Sequence, residues 1–504
     1  MSKIDNKLDY LTYDIRKAEP ISLPDCVLRH NKNKSIHFIG MGGIGMSGIA
    51  KILSELNYKI SGSDIKDSPT LFSMAERGAT VFVGHHEDNI NDAGLIVVSS
   101  AISGDNPEII AAKRNNIPIV HRAQMLSLIV SGNISELTNQ VSIGITGTHG
   151  KTTTSGMVGL MFEYAGMKPT IVVGGQMPVL NTNSKLGAGT YFIAELDESD
   201  GTITLYKPDI TVITNLELDH SDHYIGGMDQ LFDTFEKYIN NLPGDATVII
   251  NLDSEGNRKL LEKLPEKSSK ILTYSIEEDS PHFNKAKFKA IDIKTEGFKS
   301  SFKVLYDNDL FGEIEIIIPG KHNISNTLSA IAVGIEAGLG LEKVLNGISK
   351  FSGMRRRFQI IGEINNAKIV DDYAHHPTEI SATLLTAKQI VKKEGGGRVV
   401  AVFQPHRYTR LSCFWDDFRK CFKNADVVYI CDVYSANEKP IKDINSEKLS
   451  KCMEHNDVHY ISGPIEQVAE NIKDQIKPSD LVLTLGAGNI TKLGNILLEK
   501  IEKK

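Results

Sequence analysis

Cysteine is scarce in this 504-residue chain. None of the five (Cys26, Cys413, Cys421, Cys431 and Cys452) forms a C-x-x-C pair or a metal-ligand spacing. A disulfide scaffold and a structural zinc site are therefore not expected, and free thiols in a reducing cytoplasm are. A run of ~18 apolar residues able to span a bilayer is absent, and the polar N-terminus lacks the apolar stretch of a secretory leader. Positive charge is not in excess either. The net charge is −7, and the basic run Arg355-Arg356-Arg357 is short, which argues against nucleic acid as a partner. What is left, 41% hydrophobic and 24% charged residues, is ordinary globular composition. At ~150 residues per domain the length suggests about three domains.

The strongest feature present is VSIGITGTHGKTTTSGMVGLMFEYAG, from Val141 to Gly166. Its first five residues predict a short buried strand. A glycine–threonine turn follows, then a helix that Gly166 can end as a left-handed cap. Such a turn holds a nucleotide triphosphate: glycines let the backbone wrap phosphate oxygens, and the helix N-terminus points amide N–H groups at the anion. Lys151 adds a cation, and the hydroxyl of Thr152 is a Mg²⁺ ligand type. The common phosphate loop, G-x-x-x-x-G-K-[ST], needs glycine at 145, where this chain has Ile145; the pattern here is G-x-T-G-T-x-G-K-T. An ordinary strand–turn–helix with a chance G-K-T is the competing reading, and the three threonines after the lysine weigh against it.

Residues 1–34 read as a polar extension with a short helix near Leu8 to Ile15. From residue 35, strand, glycine turn, helix and strand follow one another as far as Asp64. Gly40, Gly42 and Gly45 satisfy G-x-G-x-x-G, and Asp64 is placed for a ribose hydroxyl. That fingerprint specifies a diphosphate at a helix N-terminus, so a nucleotide-sugar meets it as well as a dinucleotide does. A Rossmann-like domain over 35–125 is expected, then a central ATP-binding domain over 126–351 and a C-terminal α/β domain over 352–504. In the central domain the strand TYFIAELDESDG ends in Glu195, Asp197, Glu198 and Asp200, well placed for Mg²⁺. Glu195 is preferred for that role, while others of the four also suit a solvated loop. LELDHSDHY brings His220, Asp222 and His223 to the next strand end. His220 suits a magnesium or substrate contact, and His223 equally a surface position. Asn323 and Asn326 suit either an adenine edge or helix capping. In the last domain DDYAHHPTE, QPHRYTR and DVYSANEKP fall at the carboxyl ends of strands, on one expected rim.

Taken together, GITGTHGKTTT, AELDESDG, TNLELDHSDHY, GKHNISN, RRRFQ and DDYAHHPTE, in that order, resemble the Mur ligase family, the ATP-dependent amino-acid ligases of bacterial peptidoglycan synthesis. The resemblance implies three α/β domains: a Rossmann-like one for UDP, a central P-loop ATPase type, and a Rossmann-like third that closes over the site. It implies UDP-N-acetylmuramate, L-alanine and ATP as substrates, with Mg²⁺ (or Mn²⁺) as cofactor. Gly42, Gly43, Ile44, Gly45, Asp64, Ser100, His121 and Arg122 are the implied UDP-sugar residues. ATP falls to Gly147, Thr148, Gly150, Lys151, Thr152, Thr153, Asn323, Asn326, Arg357 and Asp372, and the metal to Thr152, Glu195 and His220. Tyr373, His375, His406, Arg407 and Arg410 correspond to the amino-acid site. The catalytic set is Lys151, His220, Arg357 and His375. Sister ligases carry a carbamylated lysine where this chain has Phe235 and Glu236, so Glu236 is a candidate carboxylate in its place. A monomer or weak homodimer is expected.

Two readings from other classes compete. A nicotinamide oxidoreductase leaves the phosphate loop unexplained. A non-catalytic ATP switch predicts phosphate release independent of sugar and amino acid. Within the family, addition of a peptide, of another amino acid, or of glycine or serine instead of alanine stays open. Either His375 or His406 can assist deprotonation of the amine.

Overall fold

The computed structural model describes residues 33–132, 134, 137, 139–219, 223–265, 269–436 and 438–502. It divides into two compact units. The first runs to Lys289 and adds Leu305–Leu310 and Asn326–Lys350; the second comprises Ala290–Val304, Phe311–Ser325 and Phe351 onward. The expected extension and its helix near Leu8 to Ile15 lie almost wholly outside the described residues.

The first unit contains two sheets. In the N-terminal sheet β1 (Ser35–Ile39), β2 (Ile60–Asp64), β3 (Thr80–Val83), β4 (Ala93–Val98) and β5 (Ile119–His121) lie in the order β3-β2-β1-β4-β5. All neighbours are parallel. Strand order reverses between β1 and β4, so the glycine turn after β1 opens at the switch point where such sheets bind ligands.

The central sheet is built on β6 (Val141–Thr146), β7 (Thr170–Met177), β8 (Thr182–Lys185), β9 (Tyr191–Glu195), β10 (Ile210–Ile213), β11 (Thr247–Asn251) and β12 (Lys270–Ser275). Across this unit they run β12-β11-β10-β6-β9-β7-β8. β6 sits between β9 and β10, parallel to both, so three polar strand ends converge on the phosphate loop. The buried runs of β6 and β10 are almost wholly apolar or threonine, as a strand covered on both faces requires.

The expected N-terminal and central domains, each with its own sheet, both fall in the first compact unit. The reason is a shared core: Ile49 and Leu53 of the helix Ile44–Glu55 join Val172, Phe192 and Ala194 of the central sheet in one buried apolar cluster. Polar ties reinforce it. Lys51 Nζ donates to Thr182 Oγ1 and to Ser184 O, both at 2.7 Å, and Asn183 Nδ2 donates to Ile44 O at 2.8 Å. The expected division at 125 also falls inside a helix, Arg122–Val130, because the side chain of His121 caps that helix and its buried face continues to Val130.

In the second unit β13 (Phe288–Glu296), β14 (Lys299–Tyr306) and β15 (Asp309–Ile316) form a meander. Beyond Phe351, β16 (Gln359–Ile364), β17 (Ala367–Asp372), β18 (Val399–Phe403), β19 (Val427–Cys431), β20 (Val458–Ile461) and β21 (Leu481–Leu485) form a sheet ordered β16-β17-β21-β18-β19-β20. Only β16 is antiparallel to its neighbour. The carboxyl ends of β17, β18 and β19 therefore share one edge, which brings the three polar clusters together.

Candidate active site

The phosphate loop is fixed by the strand end beside it. Asn215 Oδ1 accepts from His149 N (2.9 Å), and its Nδ2 donates to His149 O (3.1 Å), so one amide grips both backbone groups of a single loop residue. Thr148 N donates to Asn215 O (2.9 Å), and Thr148 Oγ1 donates to Glu217 O while accepting from Glu217 N. Gly147 has φ +117°, and a Cβ there would lie 2.3 Å from Thr214 Oγ1; Gly150 has φ +83°, with Asn326 Oδ1 at 2.5 Å from the same hypothetical atom. These two glycines are required by conformation and by space together. Gly150 offers no side-chain cap to the helix Lys151–Tyr164, which leaves the N-terminal amides and their positive dipole end at the loop.

Lys151 Nζ donates to Gly147 O (2.6 Å) and Thr148 O (3.0 Å) and lies 3.0 Å from both oxygens of Glu198. Burial alone would lower the Lys151 pKa, but the summed attraction of Glu198, Asp197 and Glu195 outweighs it and the ammonium is held above its usual value. Glu198 is 2% exposed, and burial pushes its carboxyl up to about 7 against the pull of Lys151. Thr152 Oγ1 donates to Glu195 Oε1 (3.1 Å), whose second oxygen accepts from Gly174 N (2.7 Å).

The acidic stretch after β9 is thus not a solvated loop, and its members separate. Glu195 faces Thr152, Glu198 faces Lys151, Asp197 pairs with Arg122, and Asp200 accepts from Ser100 Oγ at 2.6 Å. His121 has a definite tautomer in this chain of contacts. Its Nδ1 accepts from Ala123 N, so Nε2 carries the proton toward Ser100 Oγ at 3.0 Å. Burial lowers the His121 pKa to about 4, which keeps the ring neutral. Gly45 lies close by, its hypothetical Cβ 3.6 Å from Arg122 Nη1. The implied UDP-sugar residues Gly45, Ser100, His121 and Arg122 therefore border the acidic stretch that runs to the phosphate loop. Asp64 accepts from Gly42 N at 2.8 Å and so braces the glycine turn itself.

Of the expected nucleotide residues, Asn326 stands at Gly150, whereas Asn323 Nδ2 donates to Pro319 O (2.7 Å) at the start of its own helix. Thr153 is buried on the first turn of the phosphate-loop helix. His220 lies outside the described residues. An oxygen-only pair, the Thr152 hydroxyl and the Glu195 carboxylate, at a helix N-terminus beside a lysine fits Mg²⁺ or Mn²⁺ in donor chemistry.

In the second unit both oxygens of Asp372 accept backbone amides, from Phe358 and Ala374, each at 2.7 Å. This acid anchors the turn that carries Arg357. Burial raises its pKa to about 6, opposed by Arg357 and the two amides. The Arg357 guanidinium lies 5.2 Å from the Tyr373 ring centre and 3.7 Å from Glu379. His375 Nδ1 sits 2.9 Å from Tyr373 O, and a carbonyl only accepts, so Nδ1 carries the proton and Nε2 is the basic nitrogen. The His375 and His406 rings are 6.0 Å apart, and His406 stacks on Tyr434. Arg410 Nη1 is 3.5 Å from His406 Nδ1, and Arg407 is paired with Glu438 at 2.6 Å. Burial, then the charges of His375, Arg410 and Arg407, lower the His406 pKa to about 3.

Three family models match the chain in order: the Mur ligase family catalytic domain over residues 35–133, the Mur ligase middle domain over 145–334, and the Mur ligase glutamate ligase domain over 356–488. The UDP-N-acetylmuramate–L-alanine ligase of Geobacter sulfurreducens is 40% identical over 94% of this chain and 99% of its own. The chain belongs to the Mur ligase family. A ligase of the same name from Rickettsia felis is 40% identical over 92% of this chain and 96% of its own. Among solved structures, the UDP-N-acetylmuramate–alanine ligase of Thermotoga maritima superposes with TM-score 0.77 at 26% identity, covering 93% of this chain and 99% of that one. For this Mur ligase, no helix among the described residues is long and apolar enough to cross a membrane.

Sequence reasoning did not single out Asn215, and it named Glu198 only as one of four acids at a strand end. Asn215 had a signal, an amide at the end of a strand flanking the phosphate loop. Glu198 could not be told from its acidic neighbours by spacing.

Proposed function

We propose that this Mur ligase joins L-alanine to the carboxylate of UDP-N-acetylmuramate, with ATP converted to ADP and phosphate, as a step of cytoplasmic peptidoglycan precursor synthesis. The observation that carries the reading is the near full-length match to ligases of that name, in a chain whose phosphate loop keeps Lys151, Thr152 and Glu195 together. The N-terminal sheet takes the UDP-sugar, the central sheet ATP, and the rim of the last sheet the amino acid.

A carboxylate and an amine do not condense unaided in water, so the carboxylate first attacks the terminal phosphorus of ATP. An acyl phosphate forms and ADP leaves. The alanine nitrogen then attacks the acyl carbon and expels phosphate. Two unit charges 4 Å apart repel by about 4 kcal/mol at an effective dielectric of 20. Lys151, the loop amides and Arg357 offset that repulsion and stabilise charge in the transition state. Thr152 and Glu195 would hold Mg²⁺, which supplies further charge neutralisation when bound. His375 presents its unprotonated Nε2 for the proton of the alanine ammonium, and burial makes His406 a weak base at neutral pH. Arg410 supplies the cation for the alanine carboxylate.

Phosphate release with UDP-N-acetylmuramate and a panel of amino acids plus one tripeptide tests this reading. Release that requires the sugar and is fastest with alanine supports it. A preference for the tripeptide, or release independent of the sugar, overturns it.

A further inference from the structure

We propose that Glu198 is a positioning residue that holds the Lys151 ammonium at the phosphate loop until a triphosphate takes it over, whereupon Glu198 takes up a proton from solvent. This deepens the ATP-binding reading above and rests on it. Glu198 is 2% exposed, and Lys151 Nζ lies 3.0 Å from both its oxygens. The same ammonium also donates to the loop carbonyls of Gly147 and Thr148, so the pair presets the lysine where phosphate oxygens must arrive.

Among the described residues, the charged groups other than Lys151 that act on the Glu198 carboxylate do not replace that cation. Asp197 and Asp200 on its own loop are acids. Tyr224 approaches from the segment before the helix Gly227–Asn240 and donates its hydroxyl to the Glu198 backbone carbonyl rather than to the carboxylate. Glu195, which faces Thr152, also acts on the lysine and adds negative charge. A buried carboxylate left without its cation is costly, and protonation relieves that cost. The Glu198 pKa is already about 7 with Lys151 in place, so the rise that follows loss of the cation carries it above the neutral range. Proton uptake on binding means that affinity falls as pH rises, by up to tenfold per unit for one proton.

The test titrates the full chain with Mg²⁺ and ATPγS, whose terminal phosphoryl group is already ionised at about pH 8, in buffers of different ionisation enthalpy. Wild type should take up close to one proton more than Glu198→Gln, and its affinity should fall toward tenfold per pH unit above about 7. Glu198→Gln should show a flat profile and bind about tenfold tighter at about pH 8. Titration with UDP-N-acetylmuramate checks that the variant is folded. Equal proton uptake with tight nucleotide binding in both proteins overturns this inference alone. A wild type that binds the UDP-sugar but no nucleotide overturns the ATP-binding reading with it. If Glu198→Gln does not fold, the wild-type measurement decides by itself: zero uptake overturns the proposal.

Discussion

Asn215 gives the sharpest test of how the phosphate loop is held. Its amide makes two hydrogen bonds to one residue, His149, at 2.9 and 3.1 Å, on a chain segment that already carries positive φ at Gly147 and Gly150. Each such bond contributes about 1 kcal/mol net, so Asn215→Ala removes about 2 kcal/mol of loop order. If that order is what presents the amides to phosphate, the loss passes to ATP binding, and about 2 kcal/mol is roughly a thirtyfold rise in KM for ATP. Asn215→Asp should be worse, because it keeps the acceptor for His149 N but sets a carboxylate oxygen against His149 O. It also places a negative charge beside the phosphates. The assay is phosphate release against ATP concentration, with calorimetric binding of UDP-N-acetylmuramate as the control for an intact N-terminal sheet. The reasoning fails if both variants bind the sugar normally and keep KM for ATP within about twofold of wild type.

Two further outcomes are expected. Arg410→Ala should raise KM for alanine by tenfold or more with little change in KM for ATP, whereas Arg407→Ala should act more weakly on alanine because Arg407 is paired with Glu438; a selective loss of ATP affinity in Arg410→Ala would mean the rim has been placed wrongly. Asp372 has a folded pKa of about 6 against 3.8 for its ordinary value, so the native state holds the extra proton, and the stability this brings is full below 3.8 and lost as pH rises through 6. Asp372→Asn should therefore flatten the fall in stability across that window relative to wild type in denaturant titrations, and parallel curves would refute the assignment.

The local shape of the phosphate loop was legible in the sequence, because phosphate binding imposes a local requirement. A strand, glycines able to take positive φ, a lysine and a hydroxyl must follow one another within a dozen residues, and Gly147, Gly150, Lys151 and Thr152 do. The G-x-G-x-x-G turn at Gly40 to Gly45 and the polar clusters DDYAHHPTE and QPHRYTR were legible as strand-end groups, since parallel strands put their chemistry at their carboxyl ends, whereas the choice of His375, His406 and Arg410 within those clusters came from the family resemblance. The boundary at 125 was not legible, because glycine turns and strand periodicity do not reveal that a helix continues or that its neighbour's core is shared.

What the amino-acid order determined by itself was the set of strand–turn–helix units and which polar groups sit at their ends, since those follow from period, glycine and capping within one stretch of chain. Only the tertiary structure decided which end meets which. Four acids within six residues go to Thr152, Arg122, Lys151 and Ser100, and the glycine turn at Gly42 is braced by Asp64. The first two sheets fuse on one apolar core. Contacts between residues tens of positions apart depend on strand order and on burial of common surface, and neither is written in any single segment.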